Sequence, residues 1–435
     1  MTLAMIGAII CSIIFMICLS SKKIPNYAGF FFIAPIALYT GALTAKDIYA
    51  VWNKSVIHLL LIIGMFSSLI GMSHLDIPIT KIISKVTGKV KGKKQETILL
   101  SVFFLLAGFF SWFLQNNYLT LSLLPVMFVM SKDYNISHSK IIMFAMYATT
   151  LGGSCTLIGT NTNTYGSAIL EGAGFAPLGF FDFIYTGLPC WLLGGLYMVI
   201  FSNYFPNYPN EELPEEYKSD VKVTELTAED KRRMKLVGIA FIGFVASMII
   251  DSFKLIPIIT PPIFGYAMLA MLMVTKCFTP KEIVKTARMD FLFLISTTLT
   301  EVAIITKSGI SNALGHGIAS VLATTTNMYV ISAVLFFGTL LVTSFIANST
   351  CVQLLAPIAI ALASALGADP TAFVLTVTVA SSCSFLTPMA SATNYMLIPY
   401  TNLKFMDFVK AGWPLAVLNA LACIFILPHF FPYFK

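Results

Sequence analysis

Residues 97–131 form a run of 35 amino acids without a single charge. At its centre, three amide side chains stand side by side, Gln115, Asn116 and Asn117. A bilayer crossing needs about 20 apolar residues. The run is therefore too long for one ordinary span and slightly short for two. A second uncharged run, 329–367, has the same length problem and carries Asn348, Ser349 and Thr350 near its middle. Each suits a helical hairpin that enters a membrane and leaves by the same side, with its polar residues at the tip.

The rest of the chain supports a membrane setting. Of 435 residues, 57% are hydrophobic and 11% charged, against roughly 25% charged in ordinary soluble domains. Further spans are expected near 2–20, 25–45, 55–75, 141–170, 181–203, 234–251, 258–275, 288–306, 371–400 and 410–431. The opening segment lacks a basic leader and is long enough to span, so it reads as a crossing. Short Lys-bearing stretches at 76–95 and 307–327 read as helices lying along the interface. If the hairpins do not cross, 22 of the 27 Lys and Arg fall on one side. That bias makes this side cytoplasmic and places both termini outside. It also accounts for the net charge of +7, so no nucleic-acid partner is expected. The eight Cys and five His form no metal spacing and no catalytic pair. An enzyme is not expected.

The sequence also repeats. FLQNNYLTLSLLP at 113–125 aligns with FIANSTCVQLLAP at 345–357. GGSCTLIGTNTN at 152–163 faces SSCSFLTPMASATN at 381–394, pairing Ser154-Cys155 with Ser382-Cys383 and Asn163 with Asn394. FDFIYTGLP at 181–189 faces MDFVKAGWP at 406–414, where Asp182 and Asp407 are expected as helix caps. The expected organisation is a first repeat at 1–203, a cytoplasmic linker at 204–233 and a second repeat at 234–435. Each repeat holds three spans, a hairpin (97–131 or 329–367), a broken span (141–170 or 371–400) and a final span (181–203 or 410–431). Five crossings per half place the halves in opposite orientations. Inverted repeats of this kind mark secondary transporters.

In such a fold the hairpin tips meet the breaks near the midplane. Every break presents a half-helix N-terminus, equivalent to roughly +0.5 charge, and suits an anion. Unwound carbonyls suit a small cation. Polar residues in spans often only bond neighbouring helices, but here the same clusters recur in both halves. Glu301 lies inside an apolar segment with no acid opposite it in the first half. It reads as an interfacial residue near Lys307, with a proton carrier as the other possibility.

This arrangement resembles the divalent anion:sodium symporter family of the ion transporter superfamily. The resemblance rests on Asn116 and Asn348 at the tips, Gly159, Thr160 and Asn163 at the first break, and Ala392, Thr393 and Asn394 at the second. It implies an all-α, elevator-type homodimer in the cell membrane that moves a dicarboxylate, citrate or sulfate. It implies an anion bound among Asn116, Asn117, Asn348, Ser349, Thr350, Thr160, Asn163, Thr393 and Asn394. It implies Na⁺ as the coupling ion, held near Gln115, Asn116, Gly159, Asn163, Asn348, Ser391 and Asn394. The chain departs from the family pattern at Gln115 and Asn117, where hydroxyl residues are usual, and at Asn161-Thr162, where two prolines are usual. A cation/proton antiporter or an inorganic-anion permease of the same superfamily is the alternative.

Overall fold

The computed structural model describes residues 3–20, 24–88, 95–208, 226–256, 258–287, 289–308 and 327–434. Most of the stretch expected as a second interfacial helix, 307–327, and the middle of the expected linker lie outside them. The described residues are helical, with no strand among them. Among them, four helical stretches are both long and apolar enough to cross a membrane, and further shorter apolar helices accompany them. A continuous helix satisfies its backbone internally, which is what an apolar surrounding demands.

The first half holds α1 (Leu3–Ser20), α2 (Gly29–Tyr39), α3 (Ala45–Trp52), α4 (Ser55–Met72) and α5 (Asp76–Thr87). It continues with α6 (Gln95–Ser111), α7 (Asn116–Ser122), α8 (Leu124–Tyr134), α9 (His138–Gly153), α10 (Asn161–Gly172) and α11 (Ile184–Ile200). The second half holds α12 (Ala228–Ser252), α13 (Pro261–Val274), α14 (Pro280–Lys285), α15 (Met289–Lys307) and α16 (Met328–Thr343). After these come α17 (Asn348–Ala365), α18 (Pro370–Ser382), α19 (Ala392–Leu397) and α20 (Phe405–Leu421), which runs through a π-helical turn into α21 (Leu427–Phe430).

Local chemistry sets the ends. Thr44, Thr227 and Thr279 each begin a helix with a reciprocal capping box closed by Asp47, Asp230 and Glu282. Asp369 and Asn327 cap α18 and α16 with their side chains. The Asp182 carboxylate accepts from the Gly179 N–H at 2.7 Å, and Asp407 accepts from Lys404 N–H at 2.7 Å. The two acids thus play the same local role at the entrances of α11 and α20.

Two apolar clusters hold the helices. The larger runs through α4, α6, α9, α10, α18 and their neighbours, with Phe66, Phe103, Phe144 and Phe373 fully enclosed. The smaller joins α1, α2 and α3 to Ile304 of α15. Where helices must approach most closely the sequence supplies glycine. A Cβ on Gly152 would stand 2.1 Å from the Gly108 carbonyl oxygen, so α6 and α9 meet backbone to backbone there. All eight cysteines are buried and free. They act as small packing residues.

Candidate functional site

Both uncharged runs are helix–turn–helix units. Helix α6 stops at Ser111 and α7 starts at Asn116; α16 stops at Thr343 and α17 starts at Asn348. The residues before the two starts have nearly the same backbone, φ −54°, ψ 130° at Gln115 and φ −59°, ψ 140° at Ala347. The breaks after α9 and α18 are longer, reaching to Asn161 and Ala392.

The tips are fastened to the breaks by hydrogen bonds that occur twice. Ser111 Oγ donates to Thr149 O at 2.7 Å, and Thr343 Oγ1 donates to Ser381 O at 2.9 Å. Thr156 Oγ1 donates to Trp112 O at 2.5 Å, and Thr387 Oγ1 donates to Ser344 O at 2.7 Å. Asn163 Nδ2 donates to Thr156 O at 2.8 Å, and Asn394 Nδ2 donates to Thr387 O at 3.2 Å. The partners are 232 residues apart up to Ser381 and 231 apart from Thr387 onward. This register pairs Asn163 with Asn394. It does not pair Ser154-Cys155 with Ser382-Cys383: Ser382 stands opposite Thr150, because α18 ends about one turn earlier than α9.

A closed circuit of contacts then joins all four helix starts. Asn116 N–H donates to Gly159 O at 3.0 Å. Thr160 Oγ1 lies 3.0 Å from Thr162 Oγ1, which lies 2.5 Å from Ser382 Oγ in the other half. With its amide turned to satisfy its neighbours, Asn348 Nδ2 donates to Thr343 Oγ1 and Ser381 O at 3.0 Å and to Ala390 O at 2.5 Å. Ser391 Oγ accepts the Thr393 N–H at 3.2 Å. The Thr393 hydroxyl returns to the first half by donating to Asn117 Oδ1, and the Asn117 N–H donates to Asn116 Oδ1 at 2.9 Å.

Of the residues singled out in the sequence, the structure joins Asn116, Asn117, Gly159, Thr160, Asn348, Ser391 and Thr393 in this circuit. Asn163 and Asn394 brace the breaks beside it. Ser349 and Thr350 are half-buried and make no side-chain hydrogen bond among the described residues. No hydrogen bond joins the amides of one tip directly to those of the other among the described residues. Asn163 Oδ1 is buried and receives no donor among the described residues. An oxygen in that condition fits a small cation better than it fits an empty surrounding.

A cavity of 360 Å³ opens beside the first tip. Gln115, Asn161 and Thr164 form one wall, Ser67 and Ser68 of α4 another, and Asp290 at the start of α15 contributes the single acid among these six. Ser67, Ser68, Thr164 and Asp290 were not singled out in the sequence, and Asn161 was noted only as a departure from the family pattern. Asn161 and Thr164 had a usable signal in the GTNTNT run. The serine pair and Asp290 had none, since only long-range packing brings α4 and α15 to the tip. Gln115 borders the cavity rather than joining the circuit.

Glu301 is packed among the helices rather than on their surface. It is 1% exposed and accepts a hydrogen bond from Ser12 of α1. Lys307, its expected neighbour, instead pairs with Asp47 at 2.5 Å. The other carboxyl oxygen of Glu301 is buried without a partner.

The whole arrangement has solved and sequenced counterparts. The YdaH transporter of Alcanivorax borkumensis shares the fold, with a TM-score of 0.63 over 98% of both chains at 13% identity. An uncharacterized transporter of Escherichia coli is 37% identical over 89 residues, 20% of this chain and 15% of that protein. The match thus spans a small part of that relative's length. An uncharacterized transporter of Methanocaldococcus jannaschii is 26% identical over 322 residues, 73% of this chain and 70% of its own. Residues 13–378 match the profile of the citrate transporter family. With that match, the apolar helices and the shared fold in hand, the chain is a multi-pass membrane protein of the citrate transporter family.

Proposed function

We propose that the protein is a secondary active transporter that carries a small anion, a di- or tricarboxylate, together with Na⁺. The carrying observation is the hydrogen-bonded circuit that ties the four helix starts at Asn116, Asn161, Asn348 and Ala392 into one site. Each start adds a partial positive charge. The residues of the circuit are amides and hydroxyls, which both donate and accept. An anion would be held there by dipoles and amides, among Asn116, Asn117, Asn348, Ser349, Thr350 and Thr393. Na⁺ would supply the missing positive charge beside the breaks, with Asn163 Oδ1 as one ligand.

In this reading the two halves are inverted repeats, and their hairpins and broken helices move as one body against the remaining helices. That is an elevator mechanism. The 360 Å³ cavity, walled by α4 and α15 on one side and by the first tip and α10 on the other, is the gap such a movement would open and close. A homodimer in the cell membrane with both termini outside, and membership of the divalent anion:sodium symporters, complete the proposal.

The test is thermal stabilisation of the purified protein with succinate, malate, citrate, sulfate and arsenite, each with and without Na⁺. Ligand at 100 times its Kd adds about 2.7 kcal/mol of stability. The expected outcome is a shift with one carboxylate that requires Na⁺ and is lost in Asn348→Ala. No shift with any anion would sink this reading.

Glu301 favours a second reading, a cation/proton antiporter, because a buried carboxyl with one unpartnered oxygen can hold a proton. Under that reading Glu301→Gln abolishes pH-dependent flux of Na⁺ or Li⁺. Under the first it leaves anion-driven stabilisation intact.

A further inference from the structure

An apolar groove of 430 Å³ runs along the outside of α12. Gly238, Ile242, Val245 and Ile249 form a stripe on that helix, spanning about 16 Å at 1.5 Å per residue. Leu75, just before α5, and Ile79 of α5 close one side. Phe110 and Phe113 from the end of the first hairpin's leading arm close the other. The groove is open outward, as Ile242 is 69% exposed. It offers water almost nothing to bond to, so water is a poor occupant. Hydrocarbon is the natural one.

The lower end of the groove differs in character. Lys235 is exposed and stands one turn below Gly238, and Lys231 lies a turn further out. Lys81 and Lys85 are exposed on α5, whose Pro78 and Ile79 line the groove. None of these four lysines forms an ion pair among the described residues. The nearby acids are engaged: Glu229 pairs with Arg233 at 3.1 Å, and Asp230 caps Thr227. A groove lined by hydrocarbon with unpaired cations at one mouth complements one kind of molecule. We propose that it binds a phospholipid with an anionic headgroup, one acyl chain along α12 and the phosphate at Lys235.

The location gives the site a consequence. Phe113 and Leu114, which line the groove, immediately precede Gln115, which lines the polar cavity. A small void shares Phe113 and Phe241 with the groove and Ser67 and Gln115 with the polar cavity. A bound acyl chain therefore backs the first tip against α12 and keeps the polar cavity sealed from the side.

The experiment is native mass spectrometry of the full chain in detergent, titrated with phosphatidylglycerol or phosphatidylcholine of identical acyl chains. The wild type should retain one phosphatidylglycerol per chain and bind it at least fivefold more tightly than phosphatidylcholine. Lys235→Glu, an exposed change that leaves the groove open, should bring the preference below twofold. Ala246→Trp, which fills the groove, should abolish retention of both. Equal binding of the two lipids by the wild type overturns the headgroup assignment, as does an unchanged preference in Lys235→Glu. Retention by a folded Ala246→Trp overturns the groove. A lipid-free dimer that Ala246→Trp splits into monomers would show a second copy of the chain there instead, and would overturn the proposal. None of these readouts depends on transport, so they stand apart from the test of anion binding.

Discussion

The hydroxyl of Thr393 donates to Oδ1 of Asn117, 276 residues away, and so ties the start of α19 to the first hairpin tip. The circuit's other cross-half link, Thr162 to Ser382, joins the start of α10 to the end of α18 and involves neither tip. The two links are not equivalents of each other: the 232-residue register would place Ser349 where Asn117 stands. Ser349 makes no such bond. Among the described residues, only the first tip is latched by a side-chain hydrogen bond to the other half's break. Thr393→Val keeps the shape and removes the donor. It should lower stability by about 1 kcal/mol. Asn117→Ala should cost a similar amount, and the double variant little more than either. Thermal unfolding of the four proteins gives the coupling; additive losses would mean that the hydroxyl does not latch the tip.

Two glycines hold the last spans against the breaks. A Cβ at Gly187 would stand 2.7 Å from Cys155 Cα and from Ser154 O, and one at Gly412 would stand 2.3 Å from Phe385 O. Both obstacles are backbone, which cannot swing aside. Gly187→Ala and Gly412→Ala should each destabilise by about 1–3 kcal/mol, as overpacking does. Gly338 in the middle of α16 has open space around its Cβ position. Gly338→Ala should be neutral or add about 0.5–1 kcal/mol through helix propensity. Melting temperatures of the three variants should follow that order, and a Gly338→Ala protein less stable than Gly412→Ala would refute the packing argument.

Much of this was legible because apolar runs, amides and glycines leave local marks. Uncharged length located the helix–turn–helix units, and Asn116 and Asn348 both became first residues of helices. The pairing of Asn163 with Asn394 survived because each braces its own break through a threonine seven residues earlier. The Ser-Cys match failed because helix length decides register, and the earlier stop of α18 is a packing outcome. Around Gly152 and Gly153 the first half makes backbone contacts with Gly108 and Gly159 that Ser384 and Phe385 cannot reproduce. The burial of Glu301 was not legible for a related reason. Its depth depends on α1, which supplies Ser12 from 289 residues away. Ser67 and Asp290 became cavity walls by the same long-range route.

At the starts of α6 and α9, Glu96 pairs with Lys140 at 2.5 Å. The Lys140 side chain is 4% exposed, while that of Glu96 is 48% exposed. Removing the acid leaves a buried ammonium without a partner, which costs 3–5 kcal/mol in fully buried pairs. Exposure of Glu96 screens part of this, so Glu96→Ala should cost about 1–2 kcal/mol. In the 232-residue register the same positions hold Met328 and Ala372. The second half thus does without the pair. Glu96→Met with Lys140→Met should accordingly recover most of the stability lost in Glu96→Ala. Failure to recover would mean that Lys140 contributes through some contact other than Glu96.

Asn163 separates a structural from an ionic role within one side chain. Its Nδ2 holds Thr156 O at 2.8 Å, whereas its Oδ1 is buried and receives no donor. The nitrogen braces the break whatever the solution contains. The oxygen is satisfied only when a donor or a cation sits beside it. Na⁺ should therefore raise the melting temperature of the wild type relative to choline at equal ionic strength. Asn163→Ala loses both atoms, so its melting temperature should fall and should no longer respond to Na⁺. Asn394→Ala loses the equivalent brace at Thr387 and Ser384 and should also unfold earlier. It should keep the part of the Na⁺ response that belongs to the first break. If Asn163→Ala unfolds earlier yet keeps the full Na⁺ response, Oδ1 is not a ligand and the residue is a brace alone.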